Sequence, residues 1–249
     1  MSFTIRHHDG RELFTSARGS TARDAVIEAL DRRADLRGAV LEGADLHGLD
    51  FEEVDLDGAN LAGASLRHSN LEEARLANAI LSRANLDGAN LEDVDLKGAK
   101  LDNASLRGAN LEEAFLGGAD FTGAVLDGSN LEHVDLKGAV LVGASLARAN
   151  LEKVDLSGAD LSDAKLVSAN MEKVSLRGAR LVRANLAGAN VEKADLRGAD
   201  LTDADLSDAN FEKADLEGAK LEGIKIEGAN FHKARGISPA EIPPRGPYR

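Results

Sequence analysis

Carboxylates at a fixed spacing are the chain's most regular chemical feature. Glu52, Glu72, Glu92, Glu112, Glu132, Glu152, Glu172, Glu192 and Glu212 recur every twentieth residue. In the N-terminal half a second acid follows directly, at Glu53, Glu73, Asp93 and Glu113; from residue 153 on, Lys153, Lys173, Lys193, Lys213 and Lys233 take that place. Segment 41–60 concentrates the charge: Glu42, Asp45, Asp50, Glu52, Glu53, Asp55 and Asp57 stand there without a Lys or Arg, −7 of the net −13. Segment 161–180 is +2 by contrast. Like charges stacked about 5 Å apart in water repel by roughly 0.8 kcal/mol before salt screening, so stability does not explain such a row. Two accounts fit it: a solvated face whose charges drift, or a docking patch for a basic partner. These acids, with Phe115 as the least expected outward apolar residue, are the candidate interaction residues.

The groups that catalysis needs do not assemble. His7 and His8 are expected on opposite faces of a strand, and His47, His68, His133 and His232 share no metal-ligand spacing with an acid. No glycine loop leads into a helix, and no Ser-His-Asp set is suggested. Without cysteine there is no disulfide framework, thiolate metal site or Cys nucleophile. The Asp rows lack the glycine-rich nonapeptide of calcium β-rolls. No catalytic, cofactor-binding or metal residue is assigned, and no enzyme is expected. Lys97, Lys137, Arg177 and Arg197 read as ion-pair partners of the acidic rows. With 43 acidic against 30 basic residues, direct nucleic-acid binding is not expected either. Charges fill the N-terminus where a signal peptide needs an apolar run, and no stretch approaches the ~20 apolar residues of a membrane span. The cytoplasm is the expected compartment, with no membrane partner.

What positions the acids is a five-residue beat. An apolar residue falls at 36, 41, 46 and every fifth position to 231, giving 40 repeats without a slip. Thirty-three of these centres are Leu, the others being Phe51, Phe121, Met171, Val191, Phe211, Ile226 and Phe231. Two residues earlier sits a small residue, Ala in 31 repeats; Leu49, Val54, Val94, Val134 and Ile224 are among the exceptions. Five residues advance an α-helix by roughly 500°, which would scatter the leucines around the cylinder. Inward positions two apart, with an outward one between, are strand alternation instead. A turn every five residues then closes the chain into a square. The twenty-residue spacing of Asn-Leu-Glu (Asn70-Leu71-Glu72, Asn90-Leu91-Glu92 and onward) makes one coil of four sides. The Asn series from 70 to 230 should stack into a hydrogen-bonded amide ladder. At ~4.8 Å between strands, ten coils span roughly 48 Å.

Residues 1–33 stand outside the beat. Phe3–His8 and Glu12–Ser16 read as a hairpin around Asp9-Gly10. Thr21 and Asp24 have capping-box spacing at the head of a helix ending near Arg33. This hairpin and helix should cover the first open coil. Residues 236–249 form a proline-rich tail, expected across the last coil or disordered.

The motif A-[DN]-L-x-x, as in Ala89-Asn90-Leu91-Glu92-Asp93, resembles the pentapeptide-repeat family over 34–233, within a rod expected over 34–235. That resemblance implies an all-β fold: a right-handed quadrilateral parallel β-helix solenoid of about ten coils, with an N-terminal β-hairpin plus α-helix cap. It points to a non-enzymatic scaffold or protein-interaction rod, a monomer or end-to-end dimer. The family's quinolone-resistance members imply an alternative, a DNA mimic that binds DNA gyrase or topoisomerase IV. Those members resemble Phe-centred dimeric rods, whereas this chain is Leu-centred and its repeats are uninterrupted.

Overall fold

The computed structural model describes residues 2–17 and 19–238. From Val40 on, every fifth residue forms a parallel bridge to the residue twenty further along, from Val40↔Asn60 to Asp215↔Arg235. Twenty residues of chain thus carry four bridges, the β-helix arrangement that the double period requires. Between bridges the chain turns over two residues. Ala44 N–H donates to the Leu41 carbonyl at 3.1 Å, and this closure recurs along the stack. The second turn residue has φ near +60°, as at Gly43, which is why Gly is common there. The repeat centres from 36 to 216 are at most 2% exposed, and the residue two before each lies inside with them, except that Ala34 and Val54 are only half-buried.

The pentapeptide motif follows from satisfying five backbone donors. Leu61 and Gly63 donate to the next coil, at Ile80 (2.7 Å) and Ser82 (2.9 Å), and Asn60 donates to Ala39 of the previous one (2.8 Å). Ala64 closes the turn on Leu61 at 3.0 Å. The fifth donor, Ala62 N–H, bonds Asn60 Oδ1 at 3.1 Å. An Asp or Asn before the centre is therefore a backbone acceptor first. Where Arg75, Ser105 and Ser145 stand in its place, Asp57, Asp87 and Asp127 of the preceding coil accept the bond instead.

The cap consists of β1 (Thr4–Arg6), β2 (Glu12–Thr15) and α1 (Ala22–Asp31). The strands pair antiparallel and are shorter than the alternation suggests, because a bulge falls between Ile5 and Arg6. His7 then bridges Ala39 antiparallel, while Val40 N–H donates to Arg6 (2.8 Å) and His8 N–H to Gly38 (2.9 Å). The hairpin thereby pairs with the edge of the first coil that would otherwise be open. The His7 and His8 rings do not take opposite faces: their centroids lie 3.9 Å apart, since bulge and turn end the alternation there. A Cβ on Gly38 would run into the His7 ring. Thr21 caps α1 with the expected box, Asp24 N–H to Thr21 Oγ1 and Thr21 N–H to Asp24 Oδ2. Arg23 ties the helix to the first coil through the His47 carbonyl at 2.8 Å.

At the other end Leu221, Ile224 and Ile226 are only half-buried. The chain leaves the beat at Gly236, φ 78°, where a Cβ would overlap the Leu216–Glu217 backbone. Ile237 packs against the core. The expected path of the proline-rich tail lies outside the described residues from 239 on.

Candidate interaction surface

One side of the coil carries three parallel rows: Asn, Glu, and a variable third residue. The Asn amides form the expected ladder. Each Nδ2 from Asn90 to Asn230 donates to Oδ1 of the Asn one coil earlier, at 2.9–3.2 Å. Asp50, an acceptor only, ends the ladder by receiving Asn70 Nδ2 at 3.0 Å. In the N-terminal half the amides also hold the Glu row: Asn70 to Glu52 (3.3 Å), Asn90 to Glu72 (3.0 Å), Asn110 to Glu92 and Asn130 to Glu112 (both 3.1 Å). The Glu side chains are thus positioned before any partner arrives.

The third row divides the side in two. Every one of its residues has positive φ and none is Gly, from Glu53 (58°) and Glu73 (55°) through His133 (64°) to Lys233 (58°). In the C-terminal half the lysines interleave with the glutamates. Lys153 lies 3.1 Å from Glu132 and 3.3 Å from Glu152, Lys173 bridges Glu152 and Glu172, Lys193 bridges Glu172 and Glu192, and Lys213 bridges Glu192 and Glu212. Hydrogen bonds from Lys153 hold the Glu132 carboxyl below the usual carboxylate range. Lys173 and Lys193 do the same to Glu172, and Lys213 to Glu212. In the N-terminal half Glu53, Glu73, Asp93 and Glu113 fill the row, and among the described residues no ion pair reaches them.

The remaining candidates lie elsewhere on the coil. Asp55 and Asp57 occupy the next side, 3.7 and 2.7 Å from Arg75. Asp45 holds His47 at 2.6 Å, and Glu42 accepts the Asn60 amide at 3.5 Å. Phe115, 45% exposed, stands in a column between Asp95 and Asp135, with Lys97 over its ring at 4.8 Å. The other exposed large apolar residues among those described, Ile27, Val40 and Val140, do not share its column. Lys97, Lys137, Arg177 and Arg197 pair with Asp95, Asp155 and Asp195, as their spacing suggests. Among the described residues no group of three or more His, Asp or Glu is placed to hold a metal ion, and no helix is long and apolar enough to cross a membrane.

A family model for pentapeptide repeats matches in eight overlapping copies, from residues 34–72 to residues 204–235, which together cover the whole beat. The chain belongs to the pentapeptide-repeat family. Among solved structures, HetL, a pentapeptide repeat protein involved in heterocyst differentiation regulation from the cyanobacterium Nostoc sp. strain PCC 7120, is 31% identical. The match covers 84% of this chain and 94% of HetL, with a TM-score of 0.54. A trypsin-treated variant of QnrB1, a plasmid-mediated fluoroquinolone resistance protein, is 19% identical over 77% of this chain and 88% of its own, TM-score 0.47. No curated protein sequence matches the chain. Ile27, Leu49 and Val54 stand beside the acidic rows, a neighbourhood that the five-residue beat does not reveal. Their signal was available at Leu49 and Val54, which depart from the usual Ala.

Proposed function

We propose that the chain is a non-enzymatic scaffold, a right-handed four-sided β-helix of about ten coils, whose acidic N-terminal side docks a basic protein. Residues 1–33 serve as cap, 34–235 as the rod and 236–249 as tail. One observation carries the reading: a single side of one stack places Lys between its glutamates in the C-terminal half, yet leaves the same row without cations over 52–113. Neighbouring carboxylates there repel one another until a cation arrives, and a fixed acidic row speeds and orients encounter with a basic surface. Affinity capture from the native host tests it. Reversing Glu52, Glu53, Glu72 and Glu73 to Lys is expected to release a protein that the unaltered chain retains, while reversing Glu152 and Glu172 leaves it bound. Retention by both variants would sink the reading.

DNA mimicry is the second reading, favoured by the overall acidity of the rod. The lysine zipper weighs against it, because a duplex mimic needs acid along its length and here half of one side is neutralised. A gyrase supercoiling assay unaffected by micromolar protein would dispose of it.

A further inference from the structure

A cleft of about 700 Å³ opens between α1 and the first coils. Ile27 and Leu30 line it from the helix, Leu49 and Val54 from the solenoid. Two departures from the repeat produce it. Leu49 and Val54 fill inward positions that are otherwise mostly Ala, and Val54 stays half-buried where Val94, Val134, Val154 and Val174 are at most 1% exposed. Ile27 leaves 39% of its surface open although Val26 and Ala29 beside it are sealed. An apolar floor therefore faces solvent, unlike the closed interior of the stack.

The rim of the cleft is acidic. Asp35 and Asp55 are engaged by Arg37 and Arg75. Asp31, Asp50, Glu52 and Glu53 have no ion pair among the described residues, and Arg33 is the basic residue in the lining. The carboxylates surround an apolar floor instead of converging on a point, so the geometry suits a cationic amphipathic group better than a metal ion. Resting on the docking reading above, we propose that this cleft anchors the partner: it takes an apolar side chain of a basic peptide segment, whose flanking Lys or Arg residues meet the four carboxylates that lack an ion pair. Burying an apolar side chain in such a pocket supplies affinity in proportion to the apolar area removed from water, and a surrounding rim that excludes water lets a few central residues carry most of it.

Fluorescence anisotropy of the full chain tests this with two probes of equal charge, a short labelled peptide of Lys-Leu-Leu-Lys units and one of Lys-Gly-Gly-Lys units. The leucine peptide is expected to bind at least tenfold more tightly. Ile27→Lys, at an exposed helix position, should abolish that difference with the circular dichroism spectrum unchanged. Glu53→Gly, which removes a carboxylate from a left-handed position that suits Gly, should weaken both peptides. Equal affinity of the two peptides, a difference that survives Ile27→Lys, or no binding of either would overturn the cleft. Reversing Glu92 and Glu112 to Lys separates the two levels. If that variant loses the peptides while Ile27→Lys does not, the acidic side stands and the cleft falls; if neither matters, both fall.

Discussion

Glu73 and Lys193 hold the same backbone conformation, with φ of 55° and 59°, in the same row of the stack. A left-handed residue other than Gly costs roughly 1–2 kcal/mol, and at Lys193 something offsets it: the ammonium lies 3.1 Å from Glu172 and 2.9 Å from Glu192. Glu73 has no such return and faces acids above and below. Glu73→Gly is therefore expected to raise stability by ~0.5 kcal/mol, net of the extra chain freedom that Gly loses on folding. Lys193→Gly removes two exposed ion pairs and should leave stability unchanged or lower. Denaturant titration of the two variants compares them directly. If Glu73→Gly is the less stable, the acidic row contributes to folding and its retention needs no docking partner.

The lysine zipper behaves as an element because each ammonium serves two coils. Glu132, Glu172 and Glu212 titrate below their ordinary value through Lys hydrogen bonds, and Asp200 is held at about 2 by Thr202 and then Lys220. A carboxyl with a folded pKa below its unfolded one stabilises the fold above the unfolded value and loses that contribution as pH falls through the folded one. Thermal stability is thus expected to decline on acidification from about pH 5 towards pH 2. Replacing Lys153, Lys173, Lys193 and Lys213 with Asn, which tolerates the left-handed turn, should flatten that decline; an unaltered pH profile would show that the zipper adds nothing. The zipper could be read from the sequence because a twenty-residue period places Glu132, Glu152 and Lys153 on one side. The capping box at Thr21 and Asp24 was equally legible, being local. The His7–His8 contact was not, because a bulge at Ile5 and Arg6 undoes alternation with no composition signal. The cleft escaped for a related reason: Ile27 and Val54 are far apart in the chain, and only the docking of α1 on the coils brings them together.

Across the whole stack, each coil touches only its neighbours, so stability propagates as a chain of interfaces and a weak one sets where the rod opens. One interface is weaker than the rest. On the side of Leu116 the bond from Leu116 N–H to Asp135 lengthens to 3.2 Å and that from Gly118 to Lys137 to 3.4 Å, against 2.9 Å from Leu96 to Phe115 and 3.2 Å from Gly98 to Gly117 one coil earlier and 2.7 Å from Leu101 to Asp120 on the next side. The bond that would run from Asp135 N–H to the Ala114 carbonyl is not made, although Phe115 N–H makes its equivalent to Val94 at 2.9 Å. Gly117 is the local difference, since it adds chain freedom at a turn position that does not need it. Its φ is not in the left-handed range, and a Cβ there would meet nothing within 4 Å. Amide hydrogen exchange should find Leu116, Gly118 and Asp135 less protected than Leu101, Asn103 and Asp120, dividing the rod into two cooperative halves. Gly117→Ala should stabilise the chain by about 0.4–1 kcal/mol by restricting the unfolded state, and raise protection at those three amides. Uniform exchange along the stack, or a Gly117→Ala variant that gains stability without gaining protection there, would place the weak interface elsewhere. The division falls close to the point where the third row passes from acid to lysine, so the docking half of the rod is also the half that can open without the other.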